Sequence, residues 1–280
     1  MKDELVISSL QNPKVKRLLL LQQKSQQRRK EGVFVVEGRR ELEHCVEAGY
    51  EVESVFVSEE CRVKSEEFAA ALQNTRAVAN HPLSTIHYPL FTVTPQVYEK
   101  MAYRGSTEGI IAIVKAKSLR LEDLQLSENP LIVVLESVEK PGNLGAVLRS
   151  ADAAQADAVI ICDPLTDLYN PNLIRSSIGA VFTVPTVACS SEACIAFFRQ
   201  HGIQILTAQL QDSSLYYNTD MTGGTAIVMG TESTGLTDQW RQAATAHIRI
   251  PMLGRLDSLN VSVSAAILLF EAVRQRQSRL

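Results

Sequence analysis

LIVVLESVEKPGNLGAVLRSA, residues 131–151, runs from an unbroken apolar stretch through a glycine-containing loop into a helix-patterned stretch. Leu131 to Leu135 carries no polar residue, the pattern of a strand buried on both faces. The apolar spacing beyond it predicts a helix over 143–155. Gly142 and Gly145 permit tight turning and close backbone approach to a ligand. The spacing is neither GxGxxG nor the P-loop pattern, so neither nucleotide fingerprint holds. Asn143 stands at the helix start and Arg149 about two turns on. Asn143 reads equally as an N-cap or as a site residue, and Arg149 as a surface ion-pair partner or a ligand contact.

The same strand–loop–helix alternation continues to the C-terminus. Strands are expected at 159–161, 182–187, 203–206, 226–229 and 248–250, with helices at 143–155, 170–179, 190–201 and 258–278. This predicts an α/β fold with a parallel, doubly wound sheet, whose ligands bind in loops at the carboxyl ends of strands. Two such loops stand out. GTESTGL, 230–236, sets the carboxylate of Glu232 between two glycines directly after a strand. It reads either as an exposed turn or as a carboxylate aimed into a crevice. IPMLGRLDSLNVSVSAA, 250–266, follows a strand and leads into the last helix. Ser258 there could be a helix cap, and Ser262 and Ser264 small packing residues.

The first half reads as a smaller α/β unit. Residues 12–30 are helix-patterned, with Val15, Leu18, Leu19 and Leu21 on an apolar stripe. Strands are expected at 33–36, 52–57, 91–93 and 110–114, and helices at 39–48 and 66–72. Residues 118–130 are more acidic and end in proline, which places a linker there between domains 1–117 and 131–280. Charge is uneven. Residues 14–40 hold nine Lys and Arg against two Glu, a net +7, so the remainder of this −3 chain carries −10. A solvated helix face and a phosphate-contacting arm both account for that run.

The 280 residues are 45% hydrophobic and 21% charged, as in ordinary globular proteins, and the length suits two domains. No apolar run approaches the roughly 20 residues that span a bilayer, and no secretory signal is expected. Cys45, Cys61, Cys162, Cys189 and Cys194 form no CxxC, and the five histidines show no ligand spacing. Both facts argue against a disulfide scaffold or a metal site and for the reducing cytoplasm.

The three loops, in this order and spacing, resemble the sequence motifs of the SpoU/TrmH-type RNA 2′-O-ribose methyltransferases of the SPOUT superfamily. The segment RSSIGAVF, 175–182, is similar to that family's intermotif helix. Ser264 departs from the pattern, where alanine is more usual. FVVEG, 34–38, resembles the L30e-like substrate-binding domain found in many members. The resemblance implies a deep trefoil knot in the second domain and S-adenosylmethionine as methyl donor. Thr207, Ala208, Gly230, Ile250, Met252 and Leu259 would hold that cofactor. Asn143, Arg149, Glu232, Ser258 and Asn260 would form the catalytic set. It also implies a homodimer through the C-terminal domain, no metal, and RNA as partner, with rRNA favoured over tRNA. A catalytically inactive RNA-binding protein is the alternative, against which the intact motif set speaks. With RNA as partner, the basic stretch becomes a docking arm that includes Lys14, Arg17, Lys24, Arg28, Arg29, Lys30 and Arg39.

Overall fold

The computed structural model describes residues 6–61, 67, 88–103, 108–231 and 234–277. They form two compact units: Met1–Lys117 with Tyr169–Gly179, and Ser118–Leu168 with Ala180–Leu280. The helix expected at 66–72 lies outside the described residues except for Glu67.

The first unit is built on a four-stranded sheet of β1 (Val33–Glu37), β2 (Val52–Ser58), β3 (Leu90–Val93) and β4 (Ile110–Lys115), in the order β1-β4-β2-β3. β4 runs antiparallel to β1 and β2, and β2 runs parallel to β3. The basic N-terminal stretch is two helices rather than one. Asn12 accepts a hydrogen bond from the Lys14 N–H and Pro13 opens the first, Pro13–Gln23. Lys24 breaks it with extended backbone, and Ser25–Glu31 follows, ending at Gly32 with φ of 65°. Val15, Leu18 and Leu21 bury their apolar stripe against Val33, Phe56, Ile111 and Ile113. A further helix, Pro95–Met101, lies on the same core.

Two boundaries differ from expectation. Tyr169–Gly179 belongs with the first unit, not with the domain that surrounds it in sequence. Tyr169 stacks on Phe34 with ring centroids 4.2 Å apart, and its hydroxyl donates to the Lys117 carbonyl at 2.6 Å. Residues 118–130 are no free linker either. Leu121 is buried in the second unit's core, with Leu119, Leu124 and Leu126 packed beside it. Asp157 accepts from the N–H groups of Ser127 and Leu131 at 2.7 and 2.8 Å, pinning the end of that segment.

The second unit is a seven-stranded sheet in which every pairing is parallel. Its strands are β5 (Leu131–Glu136), β6 (Ala158–Cys162), β7 (Thr186–Cys189), β8 (Gln204–Ala208), β9 (Ser214–Leu215), β10 (Thr225–Met229) and β11 (Ala246–Arg249). The order is β7-β6-β5-β10-β8-β11-β9, so β10 inserts between two strands laid down before it. The strand expected at 182–187 starts only at Thr186. Ala180–Thr183 is a helical turn, and Pro185 has no N–H to give a ladder. The insertion of β10 sets the carboxyl ends of β8, β10 and β11 side by side.

Candidate active site

A cavity of about 380 Å³ opens at those three carboxyl ends. Apolar side chains of Met229, Leu236, Ile248, Ile250, Met252 and Leu259 line it, with Gln209, Arg241 and Ser258 among the polar groups. That mixture of an apolar wall and a few convergent polar groups is the usual build of a small-molecule site.

The loop after β10 folds back on itself over Gly230. The Gly235 N–H donates to the Thr231 carbonyl at 3.1 Å, and the Thr231 and Thr234 hydroxyls lie 2.7 Å apart. A Cβ at Gly230 would lie 2.2 Å from the carbonyl carbon and oxygen of Gly235, so no side chain fits. The far end of the loop is anchored by Glu136, a buried carboxylate at the end of β5. Glu136 accepts from both the N–H and the hydroxyl of Thr237, at 2.9 and 2.6 Å.

Five of the six expected cofactor residues line the cavity: Ala208, Gly230, Ile250, Met252 and Leu259. Thr207 does not. It is fully buried, and its hydroxyl pairs with Nδ1 of His247 across β8 and β11 at 2.6 Å. Alternation along β8 turns Thr207 away from Ala208.

The catalytic set is brought together in part. Asn260 Nδ2 donates to Asn143 Oδ1 at 3.1 Å, joining two motifs 117 residues apart. Asn260 Oδ1 accepts from the N–H and hydroxyl of Ser262 at 3.0 and 2.6 Å, and its carbonyl accepts from Val263 and Ser264. Asn260 is thus both the cap of helix Val261–Gln277 and the holder of Asn143. The capping reading of Asn143 does not hold, because helix Pro141–Ala153 is capped at Lys140. Ser258 lines the cavity. Arg149 is exposed on the helix, and its side chain makes no hydrogen bond or ion pair among the described residues. Glu232 lies outside the described residues.

Sequence reasoning missed Gln209 and Arg241. Gln209 Oε1 and Arg241 Nε are buried without a hydrogen-bond partner, and both residues line the cavity. Gln209 could have been found, since it directly follows a strand's carboxyl end. Arg241 could not, because helix Asp238–Ala243 shows no clear apolar period. An unpaired acceptor and an unpaired donor beside an apolar wall suit a ligand with amino, hydroxyl and carboxylate groups. S-adenosylmethionine is such a ligand.

The basic stretch divides. Arg28 leaves the docking set: it is 4% exposed, and its Nη1 donates to the carbonyls of Leu21 and Gln22 at 2.6 and 3.1 Å. Arg17 is held by two carboxylates, Glu31 at 2.6 Å and Glu53 at 2.5 Å. Hydrogen bonding to Glu53 pushes its guanidinium pKa up. Lys14 lies over the Phe91 ring at 4.8 Å, and the Arg39 N–H donates to Glu108 at 2.6 Å. Lys24, Arg29 and Lys30 are exposed.

The parallel sheet, the inserted strand and a pocket lined by two of the three motif loops define a class of protein: an α/β protein with a small-molecule site at strand ends. Residues 130–270, half of the chain, match the SpoU rRNA Methylase family, and residues 12–112 match the MRM3-like substrate binding domain. The chain belongs to the SpoU rRNA methylase family. It is 42% identical over 179 residues to the 23S rRNA (guanosine-2'-O-)-methyltransferase RlmB of Photobacterium profundum, covering 62% of this chain and 73% of that one. It is 28% identical to the 23S rRNA (uridine(2479)-2'-O)-methyltransferase of Streptomyces viridochromogenes, over 90% of this chain and 86% of that one. The AdoMet-bound rRNA methyltransferase from Sinorhizobium meliloti superposes with a TM-score of 0.85 at 28% identity, over 96% of this chain and 97% of that one.

Proposed function

We propose that this protein transfers a methyl group from S-adenosylmethionine to a ribose 2′-hydroxyl of ribosomal RNA. The observation that carries the reading is the Asn260–Asn143 bond flanking the cavity that Gly230, Ser258 and Leu259 line. It ties the first motif, through Asn143, to the third, whose neighbouring residues Leu259 and Val261 line that space with the second. The family and the rRNA-directed activities of its relatives support the substrate class. One relative acts on guanosine and the other on uridine, so this scaffold does not by itself dictate the base.

S-adenosylmethionine, when bound, supplies an electrophilic methyl on a sulfonium. Gln209 and Arg241 are the groups that would satisfy its polar ends, and Ile250, Met252 and Leu259 its apolar surface. A guanidinium is a poor general base, which argues against that role for Arg149. Its role is to orient the RNA phosphate and stabilise charge developing on the 2′-oxygen. Asn143, fixed by Asn260, and Ser258 position the ribose. Glu232 is the loop's carboxylate, and the family likeness gives it one of three roles: to position Arg149, to position Asn143, or to relay the proton.

The N-terminal unit would select the RNA through Lys24, Arg29 and Lys30. We assign the enzyme to the cytoplasm, which the five free cysteines support, and among the described residues no helix is long and apolar enough to cross a membrane. The insertion of β10 between β5 and β8 supports the knotted chain path of the family. Leu253, Leu256 and Phe270 are 97%, 80% and 47% exposed, an apolar surface that supports a homodimer through this domain. Leu268 is buried in the unit's own core and contributes nothing to that surface.

The test is incubation of the purified protein with methyl-labelled S-adenosylmethionine and either 23S rRNA or tRNA, followed by mapping of 2′-O-methyl positions. One modified ribose in 23S rRNA is the expected result. Label in tRNA alone, or in neither, overturns the assignment.

A further inference from the structure

Three cysteines distant in sequence meet in the second unit. Cys162 ends β6, Cys189 ends β7, and Cys194 lies in the first turn of helix Ser191–Gln200. Cys162 and Cys189 are direct partners across the parallel ladder. The three sulfurs all lie within 4.8 Å of one another. All are free thiols; Cys162 and Cys194 are buried, and Cys189 is half-buried. The expectation of no metal site rested on the lack of a CxxC. That argument fails here, because the ends of adjacent parallel strands bring together residues 27 positions apart.

We propose that Cys162, Cys189 and Cys194 form a three-thiolate site for a soft d10 cation, and that Cu(I) is the ion it fits best. With metal–sulfur bonds of about 2.3 Å, a trigonal ion sets its three sulfurs about 4 Å apart. The observed spacing accommodates that with small side-chain adjustments. The choice of ion follows from the donors. Three soft sulfurs with no fourth ligand in the group among the described residues suit trigonal Cu(I), whereas structural zinc takes four ligands in a tetrahedron. Asp163 is the nearest carboxylate in sequence, but it is committed elsewhere. Its Oδ2 accepts from the Ser191 hydroxyl at 2.6 Å, and that hydroxyl in turn accepts from Trp240 Nε1 at 2.9 Å.

Binding of one monovalent cation forms three metal–sulfur bonds and displaces to solvent every proton that the thiols carry, so atoms and charge balance. The site is separate from the methyl-transfer cavity. β6 and β8 are three strand spacings apart, about 14 Å.

Trp240, the chain's single tryptophan, is fully buried in the same core cluster as Cys162 and Cys194, so its emission reports on the site. The experiment is an anaerobic titration of the full, reduced chain with Cu(I) in the presence of a competing Cu(I) chelator. The expected result is one ion per chain, Trp240 quenching that saturates at the same ratio, and protection of Cys189 from iodoacetamide. Cys189→Ser, a change at a half-buried position, should weaken binding by about 100-fold or more. Its unchanged melting temperature would show that the fold survives. The double variant Cys45→Ser with Cys61→Ser should bind like the parent. Uptake unaffected by Cys189→Ser, uptake lost in the Cys45/Cys61 variant, tighter Zn(II) than Cu(I) binding at these sulfurs, or no uptake at all would each overturn the proposal. In the last case the three cysteines are small apolar core residues.

Discussion

Replacing Gly230 with alanine asks whether the loop after β10 builds the cofactor cavity. The added methyl would lie 2.2 Å from the Gly235 carbonyl carbon and oxygen and 2.5 Å from the Leu236 nitrogen, where ordinary contact begins at 3.4 Å. The obstacle is main chain, which cannot rotate aside as a side-chain tip can. The loop must therefore retreat by about 1 Å, a change of the overpacking kind that costs about 1–3 kcal/mol. It cannot retreat freely. Thr231 and Thr234 hold each other, and Thr237 is fastened to buried Glu136. The displacement falls on Thr231, Thr234 and Gly235, which line the cavity. If the apo protein relaxes and binding must restore the native loop, that cost appears in affinity, a rise in Kd of about 5- to 150-fold. Titration calorimetry with S-adenosylmethionine measures it, and a thermal melt catches any part that appears as lost stability instead. Gly142→Ala is the control, since a Cβ there meets no atom within 4 Å. A Gly230→Ala protein with wild-type affinity and wild-type melting temperature would refute the reasoning.

Arg149→Ala should lower methyl transfer by about 100-fold or more and leave S-adenosylmethionine affinity unchanged, as single-turnover kinetics and calorimetry would show. Replacing Lys24, Arg29 and Lys30 together with Ala should weaken RNA binding and cut the slope of log affinity against log salt by about 0.7–0.9 for each phosphate interaction removed. Arg28→Ala, by contrast, should lower the melting temperature, because it strands two carbonyls that its guanidinium now satisfies. Arg17→Met bears on pH. Burial alone would raise the Glu31 pKa, but hydrogen bonds from Gln27 and Arg17 outweigh it and hold the carboxyl below its ordinary value. A lowered folded-state pKa contributes stability above the unfolded pKa and loses it as pH falls through the folded value. The gap in melting temperature between wild type and Arg17→Met should be full at neutral pH and close in acid, and a gap that is constant with pH would count against the pairing.

The parallel sheet was legible because strands buried on both faces announce themselves as largely apolar runs, and β5, β6 and β10 do so. The motif loops were legible because glycines at a strand end are few and specific. The features that stayed hidden depended on partners remote in sequence. Nothing local marks Arg28 as buried, since its acceptors are carbonyls of the preceding helix, and charge counting treats it like Arg29 beside it. Residues 118–130 read as a linker from their acids and terminal proline, yet four leucines at 119, 121, 124 and 126 suffice to seat them on the core. Tyr169–Gly179 was assigned by proximity in sequence, whereas its aromatic stacking on Phe34 decides where it packs. Cys162, Cys189 and Cys194 illustrate the same limit, because ligand-spacing rules describe hairpins and helices and not the ends of a parallel sheet.

RNA docking and methyl transfer, the two parts of the proposed reaction, rest on contacts of different range. Arg28 reaches seven residues back and Arg17 fourteen forward, so the N-terminal charge is organised largely by its own helices. The methyl-transfer site is held by bonds across 101 residues, Thr237 to Glu136, and 117 residues, Asn260 to Asn143. The first fastens the chain beyond β10 to the end of β5, and the second joins the start of the last helix to helix Pro141–Ala153. Asn260 carries the consequence of such a build. Its carbonyl and Oδ1 cap the last helix, and its Nδ2 donates to Asn143, so one residue carries both the helix start and the proposed positioning of the ribose. A substitution there must change helix start and ribose positioning together, whereas the docking charge can be removed one residue at a time. Damage to the site should therefore be cooperative and damage to RNA docking graded, although both serve the same transfer.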